Sequence, residues 1–254
     1  LIFGFGMGIS GAAIASSLAE LCSLIVLTAY VFRHINRHLY GLHWSMDMTV
    51  LKEIFSISVW SMLQFFMSVA IWFLFFLAIE HLGEMELAVS NIVRSVSALF
   101  SVIVNALSGV TSSLVGNLIG AGEKKNVFPL CRRVIRLGYA AGVPLIALAL
   151  LFHQPIMGAY TDNPTIVQVA WLPFAVMLLN YFFALPGYVY LNAVTGTGAT
   201  RTVFIFQVTT TIAYLSCLWG LSHWNVPLAA YWVVEYLYVI LLGIQAIIYL
   251  KYKQ

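Results

Sequence analysis

Apolar residues run along this chain in long blocks, separated by short stretches that gather most of the Lys, Arg, Asp and Glu. A helix needs ~20 mostly apolar residues to cross a hydrocarbon core ~30 Å thick. Windows of that length place seven spans, near 9–32, 54–79, 87–116, 133–152, 166–193, 203–221 and 227–250. Inside lipid each backbone polar group must find its partner within its own segment, so helices are the assignment. The strict polar–apolar alternation of a strand is absent. The pattern therefore predicts an all-α fold, a polytopic transmembrane helical bundle with the lipid bilayer as its main partner.

Composition agrees with this and charge orients it. Hydrophobic residues make up 62% of the 254 and charged residues 8%, against about 25% charged in soluble domains. The net charge of +3 is sorted by loop, which argues for membrane orientation and against nucleic-acid binding. Arg33, Arg37 and Lys52 lie between the first two spans. Lys124, Lys125, Arg132, Arg133 and Arg136 lie at the next loop on that side, followed by Arg201 and then Lys251 and Lys253. The opposite loops hold Glu80, Glu84, Glu86 and Asp162 with no Lys or Arg. Positive charge is retained on the cytoplasmic side, so the C-terminus is expected in the cytoplasm. Away from the span ends, Arg94 is the one Lys or Arg within a span. Trp44, Trp171, Trp219 and Trp224 sit near span ends, as an interfacial aromatic belt requires.

Several motifs carry no chemistry. Cys22, Cys131 and Cys217 are too widely spaced for a metal pair or a disulfide framework. Gly6-x-Gly8-x-x-Gly11 matches a dinucleotide fingerprint in letters, but that motif needs a preceding strand within a βαβ unit. No metal-ligand spacing is present among the histidines, and neither HExxH nor GxSxG occurs. The expectation is a protein that is not an enzyme, with no metal and no cofactor. The chain opens with Leu1 inside a Gly-rich apolar stretch, and a fragment of a longer protein is expected.

The candidate chemistry lies in polar residues at bilayer depth, which are costly and face a bundle interior or a wet cavity. Arg94, Ser97, Ser101, Asn105, Ser108 and Ser112 recur at steps of three and four, on one helical face. That face reads either as a cavity lining or as a tight seam of small residues. Gln64 and Ser68 mark the second span, among Met and aromatic residues suited to adaptable apolar contacts. The fifth span offers Asn180, Tyr181 and Tyr188, with Pro173 and Pro186 marking a hinge or a static bend. Glu235 in the last span and Glu20 in the first are membrane carboxylates, candidates for ion coupling; the alternatives are a pairing of Glu235 with Arg94 and a helix-packing contact for Glu20. The polar faces of the second, third and fifth spans are expected to meet around one cavity.

Three stretches together resemble the multidrug and toxic compound extrusion (MATE) family. They are Gly8-Ile9-Ser10-Gly11-Ala12-Ala13-Ile14-Ala15 opening a helix, Leu114-Val115-Gly116-Asn117-Leu118-Ile119-Gly120-Ala121-Gly122-Glu123 at a helix end, and Gly196-Thr197-Gly198-Ala199-Thr200-Arg201-Thr202 after the fifth span. The resemblance implies the sixth to twelfth helices of a twelve-helix transporter. Residues 1–40 would hold the last helix of a missing N-terminal lobe and the start of the inter-lobe loop, and 41–254 a six-helix C-terminal lobe. It further implies ion-coupled (Na⁺ or H⁺) antiport by alternating access, effluxing a small amphipathic or cationic substrate across a bacterial inner membrane. Gly116, Gly120 and Gly122 are expected to end helices with positive φ. Two departures bear on coupling: Val59 stands where many members have proline and the second span has no acid, and the fifth span lacks an aspartate that some members use. A lipid-linked saccharide flippase of related fold is the nearest alternative, and a seven-helix receptor the alternative from another class.

Overall fold

The computed structural model describes residues 7–34, 47–224 and 226–253. Among them are α1 (Gly8–His34), α2 (Met48–Glu80), α3 (Glu84–Gly120), α4 (Val127–Leu151), α5 (His153–Gly158), α6 (Pro164–Leu179), α7 (Tyr181–Gly196), α8 (Thr200–Ser222) and α9 (Leu228–Lys253), with a single 3₁₀ turn at Lys124–Asn126. Seven helical stretches are long and apolar enough to cross a membrane, α6 and α7 together forming one of them. They coincide with the seven expected spans, and the described residues contain no strand. The expected boundary at residues 40 and 41 lies outside the described residues, as do Arg37 and Trp44.

The chain divides into two units, Leu1–Lys52 and Glu53–Gln254. The first contains α1, which is exposed along almost its whole length with only Gly11 buried. Its Ser17 hydroxyl returns to the Ala13 carbonyl at 3.1 Å, and Tyr30 stacks on His34. Asp47 starts α2 by accepting the Thr49 backbone N–H at 2.8 Å, a helix cap. That bond holds the Asp47 carboxyl below its usual range.

The second unit is built around α7, which packs against α3, α9 and α4. Helix association within lipid rests on close van der Waals fit, since the tails are as apolar as the side chains. Glycine sets that fit here. A Cβ on Gly196 of α7 would stand 2.4 Å from the Ser112 carbonyl oxygen of α3, and a Cβ on Gly187 2.7 Å from the Val239 carbonyl oxygen of α9. Around these approaches Leu185, Val189, Val194, Val93, Val115, Trp232, Leu242 and Ala246 are all buried. By contrast α2 packs through large rings, with Phe75 edge-on to Trp232 at 4.9 Å and Trp60 against Phe204 at 5.5 Å.

Three local expectations are corrected. Helix α4 begins at Val127, so Arg132 and Arg133 lie on the helix itself and not in the loop before it. Of the three glycines expected to terminate α3, Gly116 and Gly120 remain helical and only Gly122 takes a positive φ, 78°. Gly198 does the same, at φ 80°, in the turn into α8. Finally, the fifth span breaks at Asn180 between its two prolines, which both sit inside helices. Asn163 caps α6 through the Thr165 N–H, with Pro164 in the first turn.

Pro186 is nonetheless accommodated by a specific contact. Pro186 has no N–H to give the Phe182 carbonyl four residues back. The Tyr139 hydroxyl of α4 donates to that carbonyl at 2.6 Å. Tyr181, just past the break, donates back to the Gly138 carbonyl of α4 at 2.7 Å. Tyr236 of α9 donates to the Val176 carbonyl near the end of α6. Three tyrosines thus tie the broken span to its neighbours.

Candidate functional site: a buried polar cluster on the last two helices

Polar residues on α8 fall at Gln207, Thr210, Thr211 and Tyr214, a spacing that places them along one face. On α9, Glu235, Tyr238 and Gln245 recur in the same manner. The two faces meet. Tyr214 donates its hydroxyl to Glu235 Oε1 at 2.6 Å. Gln207 donates from Nε2 to the Tyr238 hydroxyl and to Ser68 Oγ of α2 at 3.2 Å. Further along, the Gln245 amide donates to Thr210 at 2.9 Å and accepts from Thr209 at 2.9 Å.

Burial makes this cluster chemically unusual. Glu235 is 7% exposed, Tyr214 0% and Gln207 1%. Glu235 stands seven residues into α9, roughly 10 Å along the helix from its start at 1.5 Å per residue. Burying an ionised carboxylate costs several kcal/mol unless it is paired and hydrogen-bonded. The Tyr214 contact is a short hydrogen bond of the charge-assisted kind, and it offsets only part of that cost. Neutralising the carboxylate, by a proton or a cation, would offset the rest of that cost. Tyr188 of α7 lies near both Glu235 and Tyr238. Among the described residues, no three His, Cys, Asp or Glu side chains gather to hold a metal ion.

The other candidates fall in several places. Arg94 is exposed on α3, its guanidinium 3.5 Å from Asn91 Oδ1 and 5.2 Å from the centre of the Phe76 ring. Glu235 bonds Tyr214 and not Arg94. On the same face Ser101 and Asn105 are exposed, while Ser97 and Ser108 are buried in packing. Several of these hydroxyls return to carbonyls of their own helix, Ser97 to Arg94 and Ser101 to Ala98. The α3 stripe thus straddles the line between seam and open face. Gln64 is half-buried and lends its carbonyl to Ser68 at 3.2 Å. Asn180 is buried with its Oδ1 unpartnered, and Tyr181 is spent on α4. Glu20 is exposed on α1. Of the sequence candidates, the structure gathers Ser68, Tyr188 and Glu235. Gln207, Tyr214 and Tyr238 were not singled out from sequence; their signal was the matched spacing on α8 and α9.

The fold, with its seven long apolar helices, defines an integral membrane helical bundle. A family model described as MatE matches residues 60–217, and the chain belongs to that family, whose members are transporters and not enzymes. It is 27% identical over 203 residues to a "Probable multidrug resistance protein NorM" of Thermotoga maritima, covering 78% of this chain and 43% of that protein. The fold is that of a MATE protein crystallised in complex with MaL6, at TM-score 0.82 and 18% identity over 99% of this chain and 58% of the other. A MOP superfamily transporter from Pyrococcus furiosus gives TM-score 0.81 at 18% identity, over 99% and 57%. The chain thus spans about half the length of the relatives it matches.

Proposed function

We propose that this chain is the C-terminal part of a secondary active transporter that exports small amphipathic compounds, cationic ones among them, in exchange for Na⁺ or H⁺. Residues 41–254 form one lobe of it and residues 1–40 close the other, N-terminal lobe. The two lobes expose a central cavity alternately to each side of a bacterial inner membrane, with the C-terminus in the cytoplasm. The observation that carries this reading is Glu235, a carboxylate buried at membrane depth whose hydrogen-bond partner in the structure is a neutral hydroxyl. An intramembrane ionisable group is a functional site by default, because nothing in packing alone repays its cost. The likeness to the NorM protein supports efflux as the direction of transport. The exposed polar positions Arg94, Ser101 and Asn105 on α3, with Gln64, supply this lobe's share of the substrate wall.

The test is accumulation of a fluorescent cationic dye by an efflux-deficient host expressing the full-length protein, with and without a Na⁺ or proton gradient. Gradient-dependent extrusion is expected. A folded, well-expressed protein that extrudes nothing under either gradient would contradict the reading, and lipid-linked sugars would then be the substrates to try.

A further inference from the structure

The helix α2 carries no ionisable residue near Glu235, yet it is tied to the cluster that holds it. Its side-chain hydrogen bonding to that cluster runs through Ser68, whose hydroxyl accepts from Gln207 Nε2 at 3.2 Å and also meets the Tyr238 hydroxyl. Its other contacts include ring packing, Trp60 on Phe204 and Trp72 and Phe75 on Trp232, and the guanidinium groups of Arg201 and Arg94 over the Trp60 and Phe76 rings, none of them a hydrogen bond. Gln207 meanwhile uses the same nitrogen on Tyr238, one helical turn along α9 from Glu235. Tyr238 stands edge-on to Tyr214 at 5.6 Å between ring centres, and Tyr214 bonds the carboxylate. A continuous chain therefore runs from Glu235 through Tyr214, Tyr238 and Gln207 to Ser68.

We propose that Gln207 and Ser68 form a latch through which the charge on Glu235 positions α2, so that the two residues determine how tightly ion movement is coupled to substrate movement. This inference rests on the reading of Glu235 as the ion-coupling group. When Glu235 is ionised, Tyr214 must donate to it. When a cation or proton neutralises it, that demand disappears and Tyr214 is free to turn. Its ring contact with Tyr238 then shifts the hydroxyl that Gln207 bonds, and the weaker, 3.2 Å arm of Gln207 to Ser68 is the first to give. The titratable groups near Glu235 are Tyr214 of α8, which bonds it, with Tyr188 of α7 and Tyr238 of α9 within electrostatic range, and a phenol is neutral at neutral pH. The carboxylate is thus the only member of the cluster that carries charge. A side-chain network of this kind modulates coupling only if an element has two arrangements. The helix α2, hydrogen-bonded to the cluster through Ser68 and otherwise packed through its rings, is that element. Gln207 and Ser68 act through Glu235 and are positioning residues.

The experiment uses the full-length transporter in proteoliposomes, comparing uphill substrate movement driven by an imposed ion gradient with downhill movement in its absence. Variants are Ser68→Ala, Gln207→Leu, the hydroxyl-keeping Ser68→Thr, and Glu235→Gln as reference. The latch requires Ser68→Ala and Gln207→Leu to keep downhill flux while their uphill-to-downhill ratio falls by roughly two- to thirtyfold, the range of such network effects. Ser68→Thr should recover most of that ratio, which a purely structural role would not do. Unchanged coupling in both broken variants, with coupling lost in Glu235→Gln, overturns the latch alone. Loss of downhill flux in both broken variants also overturns it, since the contact is then merely structural. Coupling retained in Glu235→Gln overturns the latch together with the reading beneath it.

Discussion

At Gly196 a single hydrogen decides how closely α3 and α7 can lie, because a methyl group there would meet the Ser112 carbonyl at 2.4 Å. Neither backbone can yield cheaply, as both belong to the packed centre. Gly196→Ala is expected to cost about 1–3 kcal/mol, the range for overpacking, read as a lowered midpoint of thermal unfolding in detergent. Gly220, also helical, has nothing within 4 Å of its would-be Cβ. Gly220→Ala is therefore expected to be neutral or to stabilise by up to about 1 kcal/mol through helix propensity. A drop of equal size in both variants would show that the α3–α7 approach is not what the first one disturbs. At this scale the sequence was a poor guide. The same three glycines that looked like helix ends turned out to serve differently, and only Gly122 takes the positive φ. Nothing in a local stretch reveals which backbone will approach from 80 residues away.

Between elements, the broken fifth span shows a division of labour that the prolines alone did not reveal. The sequence correctly marked the span as irregular, through Pro173 and Pro186. It could not locate the break, since proline frees a carbonyl and a neighbouring helix decides whether that carbonyl is satisfied. Tyr139 satisfies Phe182, and the chain stays helical through Pro186. This makes a double-mutant prediction. Tyr139→Phe should destabilise by about 1–3 kcal/mol, the cost of leaving a backbone acceptor unpaired at membrane depth. In a Pro186→Ala background, a backbone N–H returns and the same change should cost measurably less. Equal costs in both backgrounds would break the link between Tyr139 and the proline. The same lesson covers the polar cluster. Glu235 was legible as a lone membrane carboxylate, but its partners sit on α8, and pairing two helical faces requires knowing that they are neighbours.

Across the whole molecule, hydropathy and loop charge carried most of the fold. Seven spans were legible because lipid imposes one length and one composition on every crossing, and no distant contact is needed to read them. The proposed orientation rests on the same kind of signal: basic residues cluster on alternate ends of the helices. Cysteines introduced one at a time at Lys125 and at Glu84 of the full-length protein are expected to react with a membrane-impermeant maleimide from opposite sides, Glu84 from outside. Labelling of both from one side would refute the topology. What hydropathy could not supply was the site, because a transporter's polar groups face inward and their arrangement depends on which helices touch.

The central claim is that the buried carboxylate on α9 couples an ion to substrate movement, and one comparison addresses it. Purified full-length protein and its Glu235→Gln variant are reconstituted, and substrate transport against its own gradient is followed under an imposed Na⁺ or proton gradient. The wild-type protein is expected to move substrate uphill under one of the two gradients, and the variant to move it only downhill. Uphill transport of equal extent by the Glu235→Gln protein would contradict the account.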